Sequence, residues 1–290
     1  MSSLIQSADN KIGKEKNQQL TNKIIDDSQS VVHHCKWNKI ASAKNILSSR
    51  FINLETQDEN GFTAFHYACI HEDITLFNLL LDNYICSYCL DGYISDETEH
   101  FIKLCENNEQ KTILHYIGEK DLIQFYKQLV YYFPHGVEEA VNFTTSSGKT
   151  ALHLASEKGN HQILAKLIKL KNVNVNHIDE NGATVLHLAC ENHSIRQVKL
   201  LLEHPQINVN LQDNNGNTPL HIIAQDTQYA AGKILKELLF MHSLRADIKN
   251  NEQLLPHQIA ANCQNYEIAA LIQERIRYGI PNLNSKNIQT

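Results

Sequence analysis

The sequence has no surplus of positive charge: Lys and Arg number 26 against 32 Asp and Glu, for a formal net charge of −6 and a pI near 6.2. No basic stripe stands along it, which argues against nucleic acid as a partner, since phosphate neutralisation needs a concentrated cationic face. No apolar run approaches the roughly 18 residues of a membrane-spanning helix, so no membrane insertion is expected. The first residues, Met1 to Asp9, lack an apolar segment flanked by basic charge, and no secretory signal is read there. Seven Cys is an odd number. Free thiols in a reducing, cytoplasmic compartment are therefore expected.

What is present is the composition of a soluble globular or repeat protein, with 42% apolar and 20% charged residues. Sixteen His and seven Cys are the unusual counts. Taken alone they suggest a metalloprotein or a Cys/His enzyme, and their placement decides whether that suggestion survives.

The chain repeats itself. Asp58-Glu-Asn-Gly61-Phe-Thr63-Ala-Phe-His66-Tyr-Ala68-Cys69 recurs as Ser147-Gly148-Lys-Thr150-Ala-Leu-His153-Leu-Ala155, as Asp179-Glu-Asn-Gly182-Ala-Thr184-Val-Leu-His187-Leu-Ala189-Cys190, and as Asp213-Asn-Asn-Gly216-Asn-Thr218-Pro-Leu-His221. With His as the marker, weaker copies stand at Thr112-Ile-Leu-His115 and Leu255-Pro256-His257, with a candidate at His33. The intervals from His33 to His257 are 33, 49, 38, 34, 34 and 36 residues. Thirteen or fourteen positions after each marker come apolar residues such as Leu80, Leu129, Leu167 and Leu201.

This pattern resembles the ankyrin repeat, whose unit of about 33 residues reads Asp-x-x-Gly-x-Thr-Pro-Leu-His and builds a turn followed by two antiparallel helices. The resemblance spans roughly residues 28–278. It implies an all-α solenoid of six to seven stacked helix-turn-helix units, because one helix pair cannot bury its apolar face alone. Asp58, Asp179 and Asp213 suit acceptors for turn amides, Gly61, Gly182 and Gly216 suit positive φ, and Ala68, Ala155, Ala189 and Ala224 suit close helix approach. The His115 copy has Asn107-Asn-Glu-Gln110 in place of Asp-x-x-Gly, and the last copy is read with Lys249 and Glu252 at those positions. Residues 1–27 read as a polar leader, about 82–109 as an irregular insert with a short helix starting at Ser95, and 279–290 as a loop-like tail.

The residues with most scope for chemistry lie in the insert: Cys86-Ser-Tyr-Cys89 with His100 and Cys105 has the ligand types and count for tetrahedral zinc. The competing reading makes these cysteines small buried hydrophobes. A Cys/His nucleophile pair is weighed at Cys35, Cys69 and Cys190, but covalent catalysis also needs a touching base, an orienting group and an oxyanion site. Cys69 and Cys190 fall where the resemblance places a packing Ala. Gly148-Lys149-Thr150 lacks the upstream Gly of a phosphate loop. No catalytic residue, metal or cofactor is assigned, with a metal-dependent module in the insert as the alternative.

The resemblance implies a monomeric protein-recognition module, acting as adaptor, scaffold or inhibitor, whose partner binds the concave face formed by hairpin tips and first helices. Carried over by motif offset, the contact positions are Asn60, Phe62, Ile70 and His71, then Lys149, Glu157 and Lys158, then Ala183, Glu191 and Asn192, and finally Asn217, Gln225 and Asp226. Phe62 and Ile70 are expected to be exposed apolar anchors. Tyr126, Tyr131, Tyr132, Phe133 and Pro134 form a second candidate surface. Low Gly and Pro, Asn- and Ile-rich wording and loose repeats are also similar to ankyrin proteins that host-associated bacteria secrete as effectors into host cells.

Overall fold

The computed structural model describes residues 21–47, 52–88 and 107–279. Among the described residues all regular structure is helical, apart from an isolated antiparallel bridge between Ile178 and Thr184. The chain divides into two compact units, residues 1–116 with 124–140 and residues 117–123 with 141–290.

Unit 1 contains α1 (residues 21–36), α2 (Ile40–Leu47), α3 (Ala64–Ile70) and α4 (Ile74–Tyr88). Next come α5 (Ile113–Lys120) and α6 (Ile123–Tyr132), which the division cuts, and then α7 (Pro134–Ala140). Residues 21–27, read from sequence as leader, belong to α1, where the buried Ser28 hydroxyl donates to the Ile24 carbonyl at 2.6 Å. Aromatic rings fill the seams: Phe65 meets Phe77 edge-on at 5.7 Å, Phe77 packs on Phe125 at 4.7 Å, and Tyr84 reaches Phe133 at 6.3 Å. This corrects the second candidate surface, because Tyr126 and Phe133 are core residues and Tyr132 is half-buried, which leaves Tyr131, 78% exposed, and Pro134 presented.

Unit 2 alternates first and second helices: α8 (Ala151–Glu157), α9 (His161–Leu167), α10 (Val185–Glu191), α11 (Ile195–Leu202), α12 (Pro219–Gln225), α13 (Tyr229–Phe240), α14 (Pro256–Asn262) and α15 (Tyr266–Tyr278). The repeating alanines Ala155, Ala189 and Ala224 are fully buried between helices, as are Leu167, Leu201 and Leu235.

One device starts five of the first helices. The Thr N–H donates to the imidazole Nδ1 three residues on, at 3.0 Å for Thr63/His66 and Thr112/His115, 3.2 Å for Thr150/His153, and 3.1 Å for Thr184/His187 and Thr218/His221. With Nδ1 accepting, the ring proton sits on Nε2, which donates to a carbonyl of the next repeat: Lys111 from His66, Asn217 from His187 and Leu254 from His221. One side chain thus satisfies an orphan amide at a helix start and joins two repeats.

The two weak copies form the same turn. Asn107 accepts from the amides of Glu109 and Lys111, as Asp58 does from Asn60 and Phe62, and Gln110 takes the glycine position at φ +58°. In the last copy Asn250 accepts from Leu254, Gln253 stands at φ +62°, and Gln258 accepts from the Leu255 amide at 2.8 Å. The expected marker there is corrected by one position. Gln258 rather than His257 fills the histidine slot, and Asn250 and Gln253 rather than Lys249 and Glu252 fill the turn. His33 is corrected too, since it is exposed within α1 and starts no helix.

Asparagine amides stitch unit 2 along a second line. Asn142 donates to the Asn172 carbonyl and accepts from the Asn174 amide; Asn176 does the same to Gln206 and Asn208, and Asn210 to Ser243 and Arg245. Asn176→Ala removes two such bonds in one seam, and about 1–2 kcal/mol of unfolding free energy is the expected loss. Urea denaturation measures it, and a midpoint equal to the parent's would remove these amides from the stabilising network.

Candidate partner-binding surface

The hairpin tips are locked to one another by their backbones. In unit 2 the Glu180 amide donates to Ser147, Asn214 to Asn181 and Asn251 to Asn215, while the Asn214 and Asn251 side chains donate to the Glu180 and Asn214 carbonyls. In unit 1 Asn108 makes the equivalent pair with Asn60 and Glu59. At the other end of the first helices, Asn192 caps the Ser156 and Glu157 carbonyls, and Asn265 caps Asp226. Main-chain groups at each of these joints are thus engaged with the neighbouring repeat, which fixes the side chains the face displays.

The sequence-derived positions divide accordingly. Asn60, Lys158, Glu191 and Gln225 are exposed. Asn192 is exposed as well, but its amide is committed to the cap. Lys149 and Glu157 form an ion pair at 2.7 Å, and Asp226 Oδ2 lies 2.7 Å from His193 Nδ1. Asn217 is half-buried, its carbonyl accepting from His187 and its side-chain oxygen from Asn250.

Three positions depart from expectation. Ala183 is buried, since its amide and carbonyl close the Asp179 turn and its carbonyl also receives His153 Nε2. Phe62 is half-buried in an aromatic cluster, 5.6 Å from His66, 5.5 Å from Tyr67 and 6.4 Å from Tyr116. Ile70, at the end of α3, is half-buried too, and His71 stacks on Tyr67 while its Nε2 lies 3.3 Å from the Lys36 carbonyl. Neither Phe62 nor Ile70 is the exposed anchor the offset implied.

The electrostatics separate buried from surface chemistry. Burial pushes the His153 pKa down to about 4 and lowers those of His187 and His221, so these rings stay neutral. Burial raises Cys35 to about 12 and raises Cys190 further, which keeps both thiols protonated and poor nucleophiles. Both nitrogens of His187 are engaged structurally, which leaves it unable to serve Cys190 as a base. At the surface, Glu191 is raised by desolvation, with the nearby charges of Asp213, Asp179 and Glu157 adding to it.

Of the zinc candidates, Cys86 is exposed near the end of α4, while Cys89, His100 and Cys105, with Ser95, lie outside the described residues. The described residues contain no cluster of three or more His, Cys, Asp or Glu fit to hold a metal. The five described cysteines are free thiols.

Sequence comparison meets the same repeats. A model of ankyrin repeats in three copies matches residues 114–213 and 152–252, and a model of ankyrin repeats in many copies matches 31–81. The chain belongs to the ankyrin repeat family. Among solved structures, this ankyrin chain is similar to the ankyrin repeat domain of Bcl-3, a member of the IkappaB protein family, with a TM-score of 0.63 and 19% identity over 83% of this chain and 97% of that one. It is also similar to the ankyrin repeat protein EF0377, with a TM-score of 0.48 and 19% identity over 86% of this chain and 98% of that one. No curated protein matches it in sequence. Ankyrin repeats are in general protein–protein interaction modules and typically not catalytic. No described helix is long and apolar enough to cross a membrane.

One feature of unit 1 was missed from sequence. Trp37, the single tryptophan, stands 61% exposed just past α1 and lines a groove of about 500 Å³ with His33, Lys36, Asp58 and Glu59. An isolated Trp just past the Val31-Val32-His33-His34-Cys35 stretch was the available signal.

Proposed function

We propose that this chain is a non-catalytic recognition module that binds a protein partner on the hairpin tips and first-helix ends of unit 2. The observation that carries this reading is the exposure of the Lys158, Glu180, Glu191 and Gln225 side chains on a face whose hairpin tips are hydrogen-bonded from one repeat to the next. A surface held in this way loses little conformational freedom on binding, so a larger share of the contact energy appears as affinity.

Affinity capture from cell lysate tests it, comparing the parent with a Glu180→Arg/Glu191→Arg variant. Both side chains are exposed, so the thermal unfolding midpoint should stay within a degree or two of the parent's. A specific protein band that vanishes with the variant is the expected result; equal capture by both proteins would remove this face from recognition. Substitutions at Phe62 would not serve, because the aromatic cluster would fall with them.

A further inference from the structure

We propose that the groove between α1 and the first hairpin of unit 1 is a docking site for an arginine side chain of a partner peptide. This stands apart from the unit 2 face, since it uses different residues in a different unit.

The groove presents an aromatic face. Trp37 is 61% exposed, and among the described residues its ring neighbour is His33, edge-on at 6.4 Å, which leaves most of the indole open. Large aromatic residues exposed to this extent carry binding energy out of proportion to their number, and indole is the best of the natural rings for a cation.

Charge decides which ligand fits. Lys36 is the one lysine lining the groove, and it is already committed, 2.5 Å from Glu59 and 3.5 Å from Asp58. An anionic ligand would have to displace two carboxylates to reach it. The surplus is negative, because two carboxylates face one ammonium. Asp58 is saturated by the amides of Asn60 and Phe62, the Tyr67 hydroxyl and Lys36, which hold it ionised against the opposing effect of burial. Glu59 is different. One of its oxygens meets Lys36, while its side chain remains 71% exposed. An indole face beside an accessible carboxylate matches a planar guanidinium, which stacks on the ring and offers a fork of donors to the acid; an ammonium, compact and strongly hydrated, matches it less well.

Trp37 is the only tryptophan in the chain, so intrinsic tryptophan emission reads this groove alone. The full chain is titrated with an end-capped Gly-Arg-Gly-Arg-Gly peptide, with its citrulline counterpart and with a Gly-Glu-Gly-Glu-Gly peptide. A saturable change with the arginine peptide only is expected. By calorimetry, Trp37→Ala and Glu59→Gln should each weaken binding about tenfold with unchanged thermal midpoints, both side chains being exposed. An equal response to citrulline, no saturation by millimolar arginine peptide, or unweakened binding by Trp37→Ala would overturn the proposal. Emission that shifts on dilution of the protein alone would assign the groove to a second copy, and emission altered by a Lys11→Gln/Lys14→Gln/Lys16→Gln variant would assign it to the chain's own lysines; either overturns it. Capture by unit 2 is read separately, so failure here leaves that reading standing.

Discussion

Gly216→Ala is expected to lower the unfolding free energy by about 3 kcal/mol or more, one of the largest effects of a single methyl group in this chain. Two costs add. The residue sits at φ +77°, where an L side chain is strained, and a Cβ built there would lie 2.6 Å from the Asn251 amide nitrogen and 2.5 Å from its side-chain oxygen. The amide nitrogen belongs to the backbone of the next repeat and is held by the Asn215 carbonyl, so relief requires the two hairpins to separate. Gly159→Ala supplies the control: its φ is +74°, but nothing lies within 4 Å of the built Cβ, so only the conformational cost of about 1 kcal/mol remains. Urea denaturation of both variants separates the terms. Equal losses would mean that the hairpin contact gives way freely and that only backbone strain matters.

Acid is expected to unfold the protein well before its carboxylates protonate. His153 is held by burial at a pKa of about 4, against an ordinary 6.5, so the folded state binds fewer protons than the unfolded chain between those values. The stability gained by keeping the ring neutral is complete above pH 6.5 and is lost as pH falls toward 4. Each such proton contributes a slope of about 1.4 kcal/mol per pH unit. His187 and His221 are lowered in the same direction by burial and add to this slope in the same sense. Glu191 is raised and works in the opposite sense, as a single group. Urea midpoints at pH 7.5, 6.5, 5.5 and 4.5 check this, and a flat profile down to 5 would refute it. His153→Gln should reduce the slope by about one proton, because Gln258 already performs the Nδ1 part of the role by accepting from Leu255.

The repeat register was legible because it is carried by residue types with few substitutes: Thr and His at fixed spacing, and Gly where φ is positive. Where the chemistry admits a substitute, spacing alone misled. Asn107 and Asn250 accept turn amides as well as Asp does, and Gln110 and Gln253 tolerate the left-handed region, so the last copy was read one residue out of step. The surface was less legible for a related reason. A motif offset says which way a backbone position points but not how far a neighbouring side chain reaches, and so Phe62 met Tyr67 and Tyr116 where open solvent was expected. Asn192 was singled out as a contact although its amide closes a helix end, because capping and recognition use the same donors and acceptors.

The asparagine seam has a bearing on ancestry. Asn142, Asn176 and Asn210 stand 34 residues apart, and each engages only main-chain amides and carbonyls of the following repeat. A junction that ignores the identity of its neighbour's side chains accepts any neighbour of the same backbone. A block of 34 residues duplicated or excised between two such asparagines would therefore leave these joints intact. Gene duplication can lengthen or shorten an array of this kind in whole cassettes, while the side chains it displays drift independently of the joints that hold them.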